Sequence, residues 1–234
     1  MTDQQRSAAR GRVLGGGSLL LATILFVGVF GYLASVFEYP DVLDLPAADV
    51  LPRLLALGDT GRAVWALYGL VPLLLVPTVV GLSAVTSAAA PLATRGATIA
   101  GVIAAFSMMI GLLRWPSLHW QLALDYAHAT STGQEAIKSL FRATNSYLGN
   151  FIGEFVGELA LNVFFALAAY ALAQPRRQWL EAVGAAVSAL GFVAMFRNVT
   201  PAVALPAALN NLVLPVWMAV LGYVLLTHPI ERPS

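Results

Sequence analysis

The chain has 234 residues, 59% of them hydrophobic and 11% charged, and a mean hydropathy of +0.77. That composition excludes an ordinary soluble domain and predicts an all-α polytopic membrane protein built as a bundle of transmembrane helices. A formal net charge of +1 from scattered arginines excludes nucleic acid as a partner, and the absence of cysteine excludes disulfides, thiolate metal sites and thiol nucleophiles.

About 20 apolar residues are needed for each span, and six stretches meet that requirement, so residues 1–234 read as a single transmembrane domain. The first span, 13–37, follows Arg6, Arg10 and Arg12; it is too long for a signal-peptide core and no cleavage site follows it. Residues 41–60 are too polar to span. In DLPAADVLPRLLALGD, the residues Val50, Leu51, Leu54, Leu55 and Leu57 fall at helical spacing before Gly58, which predicts a short external amphipathic helix with a glycine C-cap.

The second span, 63–90, contains Pro72 and Pro77; the third, 97–119, closes on LLRWPSLHW and carries Arg114 and His119. A second external amphipathic helix is predicted in STGQEAIKSLFRATNSY, where Thr132 and Glu135 have capping-box spacing and Ile137, Leu140 and Phe141 form an apolar face.

The fourth span, 146–172, opens with GNFIGEFVGELALN and carries two stripes. Gly149, Gly153 and Gly157 recur every four residues, the pattern that lets a neighbouring helix approach closely. Beside them run Asn150, Glu154, Glu158 and Asn162. At a rise of about 1.5 Å per residue, Glu154 lies roughly 12 Å and Glu158 roughly 18 Å below Ser146, near the midplane of a core about 30 Å thick. Carboxylates at that depth must turn inward and be protonated, paired or wetted. Arg114 is the expected partner and Arg197 the second choice; two acids one turn apart around one arginine predict coupled titration with a shared proton.

The fifth span is 179–197 and the sixth 207–227, with Pro215 inside the sixth. AAFSMMIGLLRWP in the third span and AAVSALGFVAMFRNVTP in the fifth share Ala-Ala-x-Ser and each end near an arginine, a faint internal echo. Trp65, Tyr68, Trp115, Trp120 and Trp217 are assigned to an interfacial aromatic belt.

Arginine placement orients the chain with both termini cytoplasmic, leaving Arg6, Arg10, Arg12, Arg95, Arg176, Arg177 and Arg232 inside. Arg114, His119, Asn145, Asn150, Arg197, Asn198, Asn210 and Asn211 then gather toward the outer side, which predicts an outward-facing polar pocket rather than a channel. Twelve arginines against one lysine, in an Ala-, Leu- and Val-rich chain, point to a high-GC bacterial gene and a bacterial cytoplasmic membrane.

No serine-nucleophile motif, phosphate loop or HExxH spacing is present, and the three histidines do not face each other across spans, so no metal or cofactor is predicted. The candidate ligand or proton-handling residues are Arg114, Glu154, Glu158, Asn150, Asn162, His119, Arg197, Asn210 and Asn211. Their chemistry fits binding or transport of a small or lipophilic ligand. A non-catalytic subunit docking a membrane-protein partner is the alternative, and an intramembrane enzyme using His119 with the two acids is a third.

GRVLGG leading into the first span, LLRWP closing the third and NSYLGNFIGEFVGE opening the fourth resemble a bacterial multi-pass membrane family, the domain of unknown function 4386. The resemblance implies a compact membrane bundle and carries no residue roles.

Overall fold

In the computed structural model, which describes residues 3–173 and 177–229, six helical stretches are long and apolar enough to cross a membrane. They run over Gln5–Phe37, Gly58–Thr86, Pro91–His128, Ser131–Leu172, Trp179–Asn198 and Pro201–Leu226. No strand occurs among the described residues. The protein is an all-α, multi-pass membrane bundle.

The first span is α1 (Asp3–Phe37), and the short helix after it is α2 (Ala47–Ala56). The second span is α3 (Gly58–Leu70), a 3-10 turn over Val71–Leu74, and α4 (Leu75–Thr86). The third joins α5 (Pro91–Leu113) to α6 (Trp120–His128) through a π turn, Trp115–His119. The fourth joins α7 (Ser131–Thr144) to α8 (Gly157–Leu172) through a π-helical segment, Asn145–Val156. The fifth is α9 (Trp179–Ala194) with a 3-10 turn, Met195–Asn198; the sixth is α10 (Ala204–Leu226) after a 3-10 turn, Pro201–Val203.

The spans form a closed ring: α1 packs on α4, α4 on α5, α5 on α8, α8 on α9, α9 on α10, and α10 returns to α1. Glycines set the tightest contacts. A Cβ on Gly81 of α4 would fall 2.5 Å from Gly15 Cα, and a Cβ on Gly16 would fall 2.7 Å from the Gly222 carbonyl of α10. Gly15 and Gly16 therefore pack α1 between two neighbours at once, since small residues permit backbone approach where apolar burial gives no driving force against lipid. Outward-facing apolar residues such as Ile24, Leu92, Leu205 and Leu212, each at least 68% exposed within the bundle, form the lipid-facing surface.

The two ends of the ring differ. Toward the chain termini, Leu19, Leu82, Phe164, Phe165, Leu172 and Leu221 are buried and fill the centre. Arg12 ties the end of the ring together there by donating to the His228 carbonyl at 2.7 Å. Arg176 and Arg232, assigned to this side, lie outside the described residues.

At the other end, the third and fourth helical stretches, 38 and 42 residues long, exceed what a core about 30 Å thick requires and project as the α6–α7 hairpin. Helix α2 packs on this hairpin through buried Val50, Leu51 and Leu54. The cap thus holds three helices, the two amphipathic ones expected and α6. Gly58 sits just past α2 at φ +61°, the left-handed position glycine tolerates, as its spacing predicts.

Two expectations change. The cap of α7 is Thr130, whose hydroxyl accepts from Gly133 N at 3.4 Å, so the helix starts before the Thr132–Glu135 pair; Glu135 instead binds Lys138 at 2.8 Å. Trp65, Tyr68, Trp115, Trp120 and Trp217 are all buried, at 6% exposure or less, rather than forming a belt at the lipid interface. Trp65 and Trp115 stack with centroids 5.0 Å apart under the cap, and Phe37 meets both edge-on. Trp65, Trp115 and Trp120 are covered by the projecting hairpin and its cap, whereas Trp217 is buried against Gly184 of α9.

Candidate functional site

Pro116 has no N–H to give and its ring crowds the preceding turn, so the helix widens after Leu113 and His119 N bonds back to the Arg114 carbonyl at 2.8 Å. The second wide segment, Asn145–Val156, coincides with the glycine stripe, whose residues hold an α-helix weakly. Widening keeps residues four apart closer to one line than an α-helix does, where each such step drifts by about 40°. Both stripes therefore hold their direction through this segment.

The glycine stripe faces α5. A Cβ on Gly149 would strike the Arg114 guanidinium, one on Gly153 would lie 2.8 Å from Gly111 Cα, and one on Gly157 would lie 2.7 Å from Met108 Cγ. The polar stripe faces a cavity of about 310 Å³ in the half of the bundle nearer the hairpin. Asn150, Glu154 and Glu158 line it together with Arg114, Arg197, Asn198 and Asn211. Its apolar wall comes from Ala22, Phe26 and Phe30 of α1, Leu75, Met108, Leu161, and Leu214 and Met218 of α10. The size falls at the lower end of the roughly 300–1,000 Å³ typical of small-molecule sites.

Both acids bind Arg197, not Arg114. Arg197 forks onto Glu158, Nη1 donating to Oε2 at 2.9 Å and Nη2 to Oε1, and its Nε donates to Glu154 Oε2 at 3.2 Å. Asn198 Nδ2 donates to the same Glu154 oxygen at 2.6 Å. Glu154 Oε1 accepts no hydrogen bond among the described residues. The 3-10 turn after α9 explains the exchange of partners: it folds Arg197 and Asn198 inward together, at the level of the deeper acid.

Arg114 remains at the site with different bonds. Its Nε and Nη2 donate to Asn145 Oδ1 at 3.2 and 3.1 Å, its Nη1 donates to the Gly111 carbonyl, and its Cζ lies 5.1 Å from the Trp115 ring centroid.

Three sequence candidates lie off the cavity. Asn162, last of the polar line, is buried where the α-helix has resumed its drift; it donates to the Glu158 carbonyl at 2.8 Å and fills the space above Gly191 of α9. Asn210 is buried outside the lining. His119 is fully buried against Trp115 and Phe141, with Thr144 Oγ1 3.4 Å from its Nε2, so His119 and the two acids form no common centre. Among the described residues no three His, Asp or Glu side chains converge as a metal site.

Three polar lining residues are not expected at the site from the sequence: Tyr39, Asp41 and Tyr68, the last assigned there to the aromatic belt. Glu38, at φ 56°, turns the chain back after α1 so that Tyr39 reaches Trp65 and Tyr68, with ring centroids at 5.6 and 6.2 Å, and closes the cavity beside Phe30. Residues 38–41 look like a plain polar loop in the sequence, and only that reversal brings them over the site.

No curated protein and no solved structure matches the chain. The family model of the domain of unknown function DUF4386 matches residues 14–222, nearly the whole of the six-helix bundle with its cavity, and the chain belongs to that family.

Proposed function

We propose that the protein binds, and by extension carries, a small amphipathic or lipophilic ligand in the cavity beneath the α2–α6–α7 cap. The observation that carries this reading is the cavity itself: one wall is apolar, and the opposite wall presents an ion-pair cluster and the unbonded oxygen of Glu154. Charged groups at membrane depth that face a cavity are functional by default, because a purely structural pair is best buried dry. The packed terminal half favours a pocket open at one end over a continuous pore. The arginine bias toward the chain termini supports an open end on the outer face of a bacterial cytoplasmic membrane, with both termini inside. One guanidinium serving two carboxylates also gives the site a place to take and release a proton as its charge balance changes.

The test uses the fluorescent lipophile 1-aminoanthracene and the purified protein in detergent. Saturable one-to-one binding is expected, and it should be lost in Ala22→Phe, which fills the cavity from α1, while the thermal midpoint stays close to wild type. Non-saturating partitioning, identical in wild type and Ala22→Phe, would refute the reading.

A further inference from the structure

We propose that Arg114 anchors an anionic group, a carboxylate or a phosphate, on the cavity's amphipathic ligand; this rests on the reading of the cavity as a ligand site. Of the two arginines lining the cavity, Arg197 directs its charge at Glu154 and Glu158. Arg114 is 5% exposed, and among the described residues no carboxylate lies within ion-pair distance of it. Its bonds go only to neutral oxygens, of Asn145 and Gly111. Glu154 acts on it only from beyond ion-pair distance; a buried cation in no direct ion pair is costly, and a guanidinium cannot lose its charge to escape that cost.

The chain nevertheless holds this group in place. Gly149 leaves the space the guanidinium occupies, Trp115 lies beside it, and Asn145 clamps its Nε and Nη2 edge. Of the five N–H groups, the three hydrogen bonds use one on each nitrogen, so Nη1 and Nη2 each keep one without a protein acceptor. A pair of donors on a flat, fixed cation suits the two oxygens of a carboxylate or phosphate. Phe26, Phe30 and Met218 in the same cavity suit the apolar part of the same molecule. The ligand is thus an anionic amphiphile, held by its head at Arg114.

Thermal midpoints of the purified protein in a neutral detergent, with dodecyl phosphate, dodecanoate, dodecanol or inorganic phosphate added, test this. Dodecyl phosphate or dodecanoate should protect at about tenfold lower concentration than dodecanol, and whichever does so identifies the head group; inorganic phosphate should have no effect. Arg114→Gln should bring the anions down to the level of dodecanol, and Arg114→Lys, which keeps the charge but not the fork, should retain part of the preference. Equal protection by dodecanol and both anions in the wild type would overturn the anchor and leave the cavity reading standing. Protection by none of the three amphiphiles would overturn both. Inorganic phosphate protecting as well as dodecyl phosphate would overturn the amphiphile, and an undiminished preference in Arg114→Gln would overturn the role of Arg114.

Discussion

Replacing Arg197 with Met is expected to lower stability by about 3–5 kcal/mol, because it strands two carboxylates inside the bundle with only Asn198 left to serve Glu154. The loss should be much smaller when the acids are removed with it. Arg197→Met combined with Glu154→Leu and Glu158→Leu should recover most of the stability, since an apolar replacement of a whole buried ion cluster is often neutral. Unfolding midpoints in mixed micelles measure both variants. An Arg197→Met protein as stable as wild type would mean that the acids are neutralised elsewhere. Glu158 carries the larger share of the effect, being bidentate to Arg197 with an 11% exposed side chain, against 26% for Glu154.

The second large effect concerns the glycine stripe. Gly153→Ala should cost about 1–3 kcal/mol, because its new methyl would lie 2.8 Å from Gly111 Cα and backbone cannot swing aside as a side chain can. Gly17→Ala is the matched control: it sits in α1 with nothing within 4 Å of the added carbon, and should gain up to about 1 kcal/mol from helix propensity alone. The same unfolding assay distinguishes them, and a neutral Gly153→Ala would mean that α5 and the wide segment are further apart than described. The consequence reaches the site, since Glu154 is the next residue and Arg114 is packed on Gly149 one turn away.

Much of this architecture is legible in the sequence because the bilayer imposes a length and an apolar pattern on every span. The two stripes of GNFIGEFVGELALN are legible for the same reason: glycine marks a close neighbour and an intramembrane acid must turn inward. What the sequence does not settle is which arginine meets the acids. Arg114 and Arg197 both end spans near an Ala-Ala-x-Ser word, and chain adjacency favours Arg114. The choice is made by two local departures from the α-helix, the π turn at Pro116 that keeps Arg114 on α5 beside Asn145, and the 3-10 turn that brings Arg197 inward. Neither departure shows in hydrophobic periodicity. The cap is harder still, because α6 continues α5 as one apolar helical stretch and carries buried Trp120, so the tryptophans of this end resemble an interfacial belt until the hairpin is seen to project.

We propose that Glu154, Glu158 and Arg197 form one wall of a ligand cavity that Arg114 and Asp41 also line, with Arg114 in no ion pair among the described residues. An experimental structure of the protein purified in native lipid tests it most directly. The expected result is non-protein density between Arg114 and the Glu154–Arg197 cluster, running along Phe26 and Met218, with Arg197 bonded to both acids. A cavity closed by its own side chains, or Arg114 paired directly with Glu154, would contradict it.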